Sequence, residues 1–179
     1  MVTTRTLTAE DLWALPERDR GELVDGEMLP VNPVTLAHGI VVGRLVARLA
    51  TWAEASAFGE VGPEVGFLLR RHPDTVLAPD VSVVTRAVAE AAPARGFAEV
   101  VPVLAAEVLS PDDSPREIER KVDIYLEAGV ALVWVGDPGR RTVSVHLPDR
   151  EPQVLRGDNV LEGGEVLPGF AVALAYLFA

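Results

Sequence analysis

Residues 100–136 constrain the fold of this 179-residue chain more than any other stretch. Val100 to Leu109 is almost wholly apolar. Ser110-Pro111-Asp112-Asp113-Ser114-Pro115 then turns the chain, and Pro115 sits near the first position of a helix that runs to about Ala128 and stops at Gly129. Ala131 to Gly136 is apolar again. Apolar runs of this kind read as strands covered on both faces. Two of them joined through a helix predict a βαβ unit, with parallel neighbouring strands and a right-handed crossover.

The rest of the chain adds to that unit. Thr8 precedes Ala9-Glu10-Asp11-Leu12, a helix start close to a capping box, and the helix ends near Pro16. Asp25-Gly26, between Glu22-Leu23-Val24 and Glu27-Met28-Leu29, is a strong hairpin signal because both turn positions favour positive φ. His38 to Ala57 carries Ile40, Val41, Leu45, Val46, Leu49, Trp52 and Ala53 at helical spacing. Val61–Arg70 and Val76–Val84 read as strands joined by a turn at His72-Pro73-Asp74. Residues 86–97 predict a short helix and a loop. Thr142–Leu147, Gln153–Leu155 and Val160–Leu161 predict short strands. Val172 to Phe178 reads as an apolar segment, a core helix in preference to an interface. The expected architecture is α/β or α+β: one domain over residues 1–179, with a mixed β-sheet flanked by helices and an N-terminal hairpin.

Composition removes whole classes of function. There are no cysteines, so disulfides, Fe–S clusters, Cys-ligated zinc and cysteine nucleophiles are out. His38, His72 and His146 are widely separated, which argues against a multi-histidine zinc site. A formal charge of −11 argues against tenure on nucleic acid through bulk electrostatics, and against an anionic membrane as partner. No apolar run reaches the roughly 18 residues of a membrane helix. Met1-Val-Thr-Thr-Arg lacks an apolar signal core, so the expected compartment is the cytoplasm.

Four residues sit where a core would not choose them. Glu107 lies inside Val103-Leu104-Ala105-Ala106-Glu107-Val108-Leu109. A carboxylate there must be paired, protonated or bound to a cation, unless it reaches water near Ser110. Asp80 follows Pro79 and begins Val81-Ser82-Val83-Val84; a Pro-Asp turn would also explain it. Glu22 opens the first hairpin arm and reads equally as an exposed strand residue. Lys121 borders the apolar stripe Ile118, Val122 and Tyr125. Its stem can bridge back toward the end of the Glu107 strand, snorkel, or pair with Glu117. Together, two acids on strands, a third on a hairpin and a lysine on the intervening helix make the parts of a divalent-metal phosphodiesterase site. Mg²⁺ takes carboxylate and water oxygens. The metal polarises phosphate and acidifies a bound water, and the ammonium orients that water or meets growing charge.

The ordered set Glu22-Leu-Val-Asp-Gly-Glu27, His38 at a helix start, Pro79-Asp80-Val81, the run PVLAAEVLSP from Pro102, Lys121 to Tyr125, Val133-Trp134-Val135 with Asp137-Pro138, and Leu167-Pro168-Gly169-Phe170 resembles the Uma-type family of restriction-endonuclease-like proteins, within the PD-(D/E)XK nuclease superfamily. The resemblance covers about residues 6–179. It implies a restriction-endonuclease-like core and a site dependent on Mg²⁺ or Mn²⁺. Asp80 matches the motif aspartate and Glu107 the motif acid. Leu109 stands where the nuclease motif has lysine, and the helical Lys121 takes that place. Glu22 matches the family's early acid and His38 its helix-start histidine, which is also read as a capping or packing residue.

The leading expectation is therefore an endonuclease acting on DNA. Asp80, Glu107 and Glu22 hold the metal, Lys121 positions the water, and His38 is a further candidate. A homodimer is expected, since two-fold pairs are the commonest assembly. The alternatives are a non-catalytic homodimeric binding or regulatory module with a vestigial or structural metal site, and an enzyme acting on a smaller phosphorylated or nucleotide substrate. The Arg70-Arg71 pair reads as a solvated strand end, and as one of the few places where a phosphate backbone could be held.

Overall fold

A computed structural model describes residues 6–29 and 34–179; Met1–Arg5, read above as lacking a signal core, lie outside the described residues. The elements follow in chain order: α1 (Ala9–Ala14), a 3-10 turn (Glu17–Asp19), β1 (Glu22–Val24), β2 (Glu27–Leu29), α2 (Leu36–Ser56), β3 (Gly59–Gly62), β4 (Phe67–Arg70), β5 (Thr75–Leu77), β6 (Val81–Thr85), α3 (Arg86–Ala91), β7 (Leu104–Val108), α4 (Pro115–Glu127), β8 (Leu132–Asp137), β9 (Thr142–His146), β10 (Gln153–Arg156), β11 (Val160–Glu162), β12 (Ala171–Ala173) and α5 (Leu174–Leu177). This is the expected mixed arrangement of strands flanked by helices.

Local signals behave as chemistry dictates. The Thr8 hydroxyl accepts the Asp11 N–H while the Asp11 carboxylate accepts the Thr8 N–H, closing the capping box. Asp25 and Gly26 turn the β1–β2 hairpin at φ 55° and 78°. Thr35 caps α2 by accepting the His38 N–H, which starts that helix at Leu36, two residues before the expected His38.

The β7–α4–β8 unit is present, with β7 and β8 parallel over Leu104–Val108 and Leu132–Gly136. It forms the middle of a six-stranded sheet ordered β10-β9-β8-β7-β6-β3. The strand begins at Leu104 rather than Val100, because Pro102 has no N–H to give a ladder. Leu104 and Ala106 face one core layer, shared with Leu45 and Leu49 of α2, Trp134, Val172, Leu174 and Leu177. Ala105 faces the other, with Val122 and Tyr125 of α4, Val133, and Val24 and Leu77 from a second sheet. Alternation along the strand sends Glu107 to that second side. The C-terminal apolar segment is core, as expected, but it divides into strand β12 and the single turn α5.

The largest departure concerns the two long strands expected at 61–70 and 76–84. Each is broken, the first after Gly62 at Pro63-Glu64 and the second at Ala78-Pro79. Proline cannot donate within a ladder, and Glu64 takes a left-handed φ of 52°. The Glu64 N–H donates to the Pro79 carbonyl, tying the two breaks together. Each arm therefore changes sheet. β3 pairs with β6 in the six-stranded sheet, while β4 pairs with β5 in a four-stranded sheet ordered β2-β1-β5-β4. Asp80 sits at that seam. Among the described residues, no helix is long and apolar enough to cross a membrane.

Candidate active site

The seam collects the acids named from the sequence. β6 and β7 are antiparallel with Val81 opposite Ala106, so the next register position sets Asp80 opposite Glu107. The Val108 N–H donates to Asp80 Oδ2 at 2.6 Å. On the other side, β1 brings Glu22, whose Oε1 accepts the Ala78 N–H at 3.0 Å. Lys121 reaches down from α4 between them. Its Nζ lies 2.8 Å and 3.0 Å from the two oxygens of Glu22, and 3.4 Å from both oxygens of Glu107. The ion pair with Glu117 offered by spacing is not the one formed.

His38 joins from the start of α2. Its Nε2 is 3.2 Å from Asp80 Oδ1, and its Nδ1 is 3.5 Å from Ser110 Oγ. Glu22, His38 and Glu107 are buried, while Asp80 and Lys121 keep more contact with water. Asp80 and Lys121 therefore form the mouth of the cluster.

Two groups went unnamed at the sequence level. Tyr125, read there as part of an apolar stripe, donates its hydroxyl to Glu107 Oε1 at 2.7 Å and is fully buried. The signal lay in its position four residues beyond Lys121, on the same helical face. The other group is the backbone N–H of Val108, which no side-chain pattern announces. A further signal is compositional: Lys121 is the sole lysine in the chain, against fifteen arginines. An ammonium is a compact point charge and a guanidinium a planar fork, so the exception marks a place where the two are not interchangeable.

The electrostatics follow from burial. Desolvation pushes the Glu107 carboxyl up to about 8; the Lys121 ammonium opposes this, Glu22 and Asp80 add to it, and the Tyr125 hydrogen bond eases it. Asp80 is also raised by burial, against the pull of the Val108 N–H, His38 and Lys121, with Glu64 adding a like charge. Burial lowers Lys121, but Glu107 and Glu22 outweigh that and hold it above its ordinary range. The proton thus stays on Lys121, and the adjustable member of the pair is Glu107.

Tyr125→Phe removes one buried hydrogen bond and leaves packing in place. It is expected to cost on the order of 1–3 kcal/mol of unfolding free energy, read by urea titration. A loss below about 0.5 kcal/mol would mean that the hydroxyl does not hold Glu107.

Among the described residues, no group of three or more His, Cys, Asp and Glu side chains is disposed to chelate a metal ion. The donor set nevertheless suits a hard cation. Mg²⁺ is commonly held by one or two carboxylates together with water and substrate phosphate. Three carboxylates against one ammonium leave net negative charge, and burial together with Glu22 and Asp80 raises the Glu107 carboxyl. Arg70 and Arg71 take no part. Arg70 binds Asp25 and Thr75, and Arg71 binds Glu10, Asp74 and Glu99, so the pair, at the solvated end of β4 as read from the sequence, also ties α1, the hairpin and the β4–β5 turn together.

The fold is similar to that of a solved structure described as "a putative nuclease belonging to DUF820 from Anabaena variabilis ATCC 29413". The identity is 20%, the alignment covers 96% of this chain and 97% of that one, and the TM-score is 0.83. At that identity the likeness establishes the fold. The model of the Uma2 family, described as "Putative restriction endonuclease", matches residues 9–175, and the chain belongs to that family. No curated protein matches it.

Proposed function

We propose that the chain is a Mg²⁺- or Mn²⁺-dependent endonuclease that hydrolyses DNA phosphodiester bonds, working as one domain, as a homodimer and in the cytoplasm. The observation that carries the reading is the lone lysine, its ammonium set between two buried carboxylates with a third beside them at the same seam.

Asp80 and Glu107 would hold the ion, and Glu22 stands beside them on the far side of Lys121. The bound ion supplies charge neutralisation at the phosphate and a more acidic water. The protein's own groups do the rest. The Val108 N–H and His38 Nε2 fix the two oxygens of Asp80. Tyr125 fixes Glu107. Lys121, whose ammonium sits between Glu22 and Glu107, would orient the attacking water or meet the charge that grows on the phosphate oxygens. With a net charge of −11, affinity for DNA is expected to be weak and strongly reduced by salt.

The test is plasmid relaxation and linearisation by pure protein with Mn²⁺ or Mg²⁺, alongside Asp80→Ala. Cleavage by wild type and a loss of at least about a hundredfold in the variant support the reading. Equal inactivity over a broad set of DNA substrates removes it. One observation favours the second reading, a non-catalytic module: the carboxylates of the site already have protein partners. No heat and no thermal shift with either ion would select that reading, because a ligand that binds the native state must stabilise it. Cleavage of a small phosphodiester with intact plasmid would select the nucleotide-sized substrate.

A further inference from the structure

We propose that Glu22 is the anchor of Lys121 rather than a ligand of the cation, so that the three carboxylates of the seam divide into one lysine-holding group and one cation-receiving pair, Asp80 and Glu107. The inference rests on the functional reading above for the cation, and on distances alone for the lysine. Both oxygens of Glu22 are engaged at close range: Lys121 Nζ lies 2.8 Å from Oε2 and 3.0 Å from Oε1, and Oε1 also accepts the Ala78 N–H. Contacts this short are those of charge-assisted hydrogen bonds. Glu107 stands 3.4 Å from the same ammonium through either oxygen, and its one close bond is to Tyr125. A cation arriving at the seam displaces less from Glu107 than from Glu22.

Charge and topology agree. Glu22 with Lys121 is a neutral unit, and what remains, Asp80 and Glu107, carries two negative charges when ionised, matched to a divalent ion. Glu22 enters from the four-stranded sheet, whereas Asp80 and Glu107 face each other across neighbouring strands β6 and β7. Anchored by Glu22, the ammonium stays beside Glu107 without fully capturing it. Glu22 is thus a positioning residue, acting through Lys121.

Two double variants of equal charge separate the roles. Glu22→Gln/Lys121→Met removes the neutral unit whole. It is expected to bind Mn²⁺, measured by calorimetry with the ion alone, within about threefold of wild type. Glu107→Gln/Lys121→Met is expected to bind it at least about tenfold more weakly, as loss of a ligand requires. Equal losses, or the larger loss in the Glu22 double variant, would overturn the assignment. A second readout needs no metal. Because the chain has one lysine, ¹⁵N-lysine labelling yields a single side-chain Nζ resonance. Glu22→Gln should speed ammonium proton exchange at least about fivefold, whereas Glu107→Gln should change it less than about twofold, since the contacts to Glu22 are the shorter ones. The reverse order refutes the anchor. If wild type takes up no Mn²⁺, it is the functional reading that falls, and the resonance alone decides the role of Glu22. Melting curves of each variant confirm that the folded state is the one compared.

Discussion

Lys121→Met is expected to unfold at a much lower urea concentration than wild type and to leave plasmid uncut. The substitution keeps an unbranched apolar stem and removes the charge. Glu22 and Glu107 are then left buried and facing each other, and breaking a buried ion pair from one side costs about 3–5 kcal/mol. The loss should be largest at pH 8 and smaller at pH 5, where protonation relieves the repulsion. Lys121→Arg should recover part of the stability and little of the cleavage, since the guanidinium fork cannot occupy the position of a point charge 2.8 Å and 3.4 Å from two carboxylates. A Lys121→Met protein as stable as wild type at pH 8 would show that the pair contributes nothing.

Glu107→Gln should gain on wild type as the pH rises. Glu107 has an ordinary value of 4.5 when exposed and is pushed up to about 8 in the fold. Below pH 4.5 both folded and unfolded chains hold the proton, and the group costs nothing. Between 4.5 and 8 the unfolded chain releases the proton while the folded one keeps it, so wild type loses about 1.4 kcal/mol of stability per pH unit from this group. Above 8 the loss is complete. Gln carries no such penalty and retains an oxygen for the Tyr125 hydroxyl. Urea unfolding in chelator should therefore show the variant-minus-wild-type difference moving toward the variant by several kcal/mol between pH 5 and pH 8.5. A difference independent of pH would mean that Glu107 is ionised in the fold throughout, with Lys121 neutralising it completely.

Much of this frame was legible in the chain. The capping box at Thr8 and the Asp25-Gly26 hairpin are local, and each depends on side chains within four residues of one another. The β7–α4–β8 unit followed from apolar runs long enough to need cover on both faces. Glu107 announced itself because a carboxylate is costly in such a run. The sheet switch at Pro63 and Pro79 was also written as two prolines. Taking each run as one strand hid it, because apolar character continues through both breaks while hydrogen-bonding capacity does not.

Sequence alone determined the fold class, the strand–helix–strand centre and which residues are anomalous. These are properties of composition and period within one element, set by burial and backbone chemistry. Tertiary structure alone decided the partnerships. It gave Lys121 to Glu22 and Glu107 instead of Glu117, turned the Tyr125 hydroxyl onto Glu107, set the Val108 N–H on Asp80, and committed Arg70 and Arg71 to folding contacts. A charged side chain meets its partner across up to a hundred residues of chain, at a distance fixed by how the sheets cross, and no periodicity in the sequence encodes that crossing.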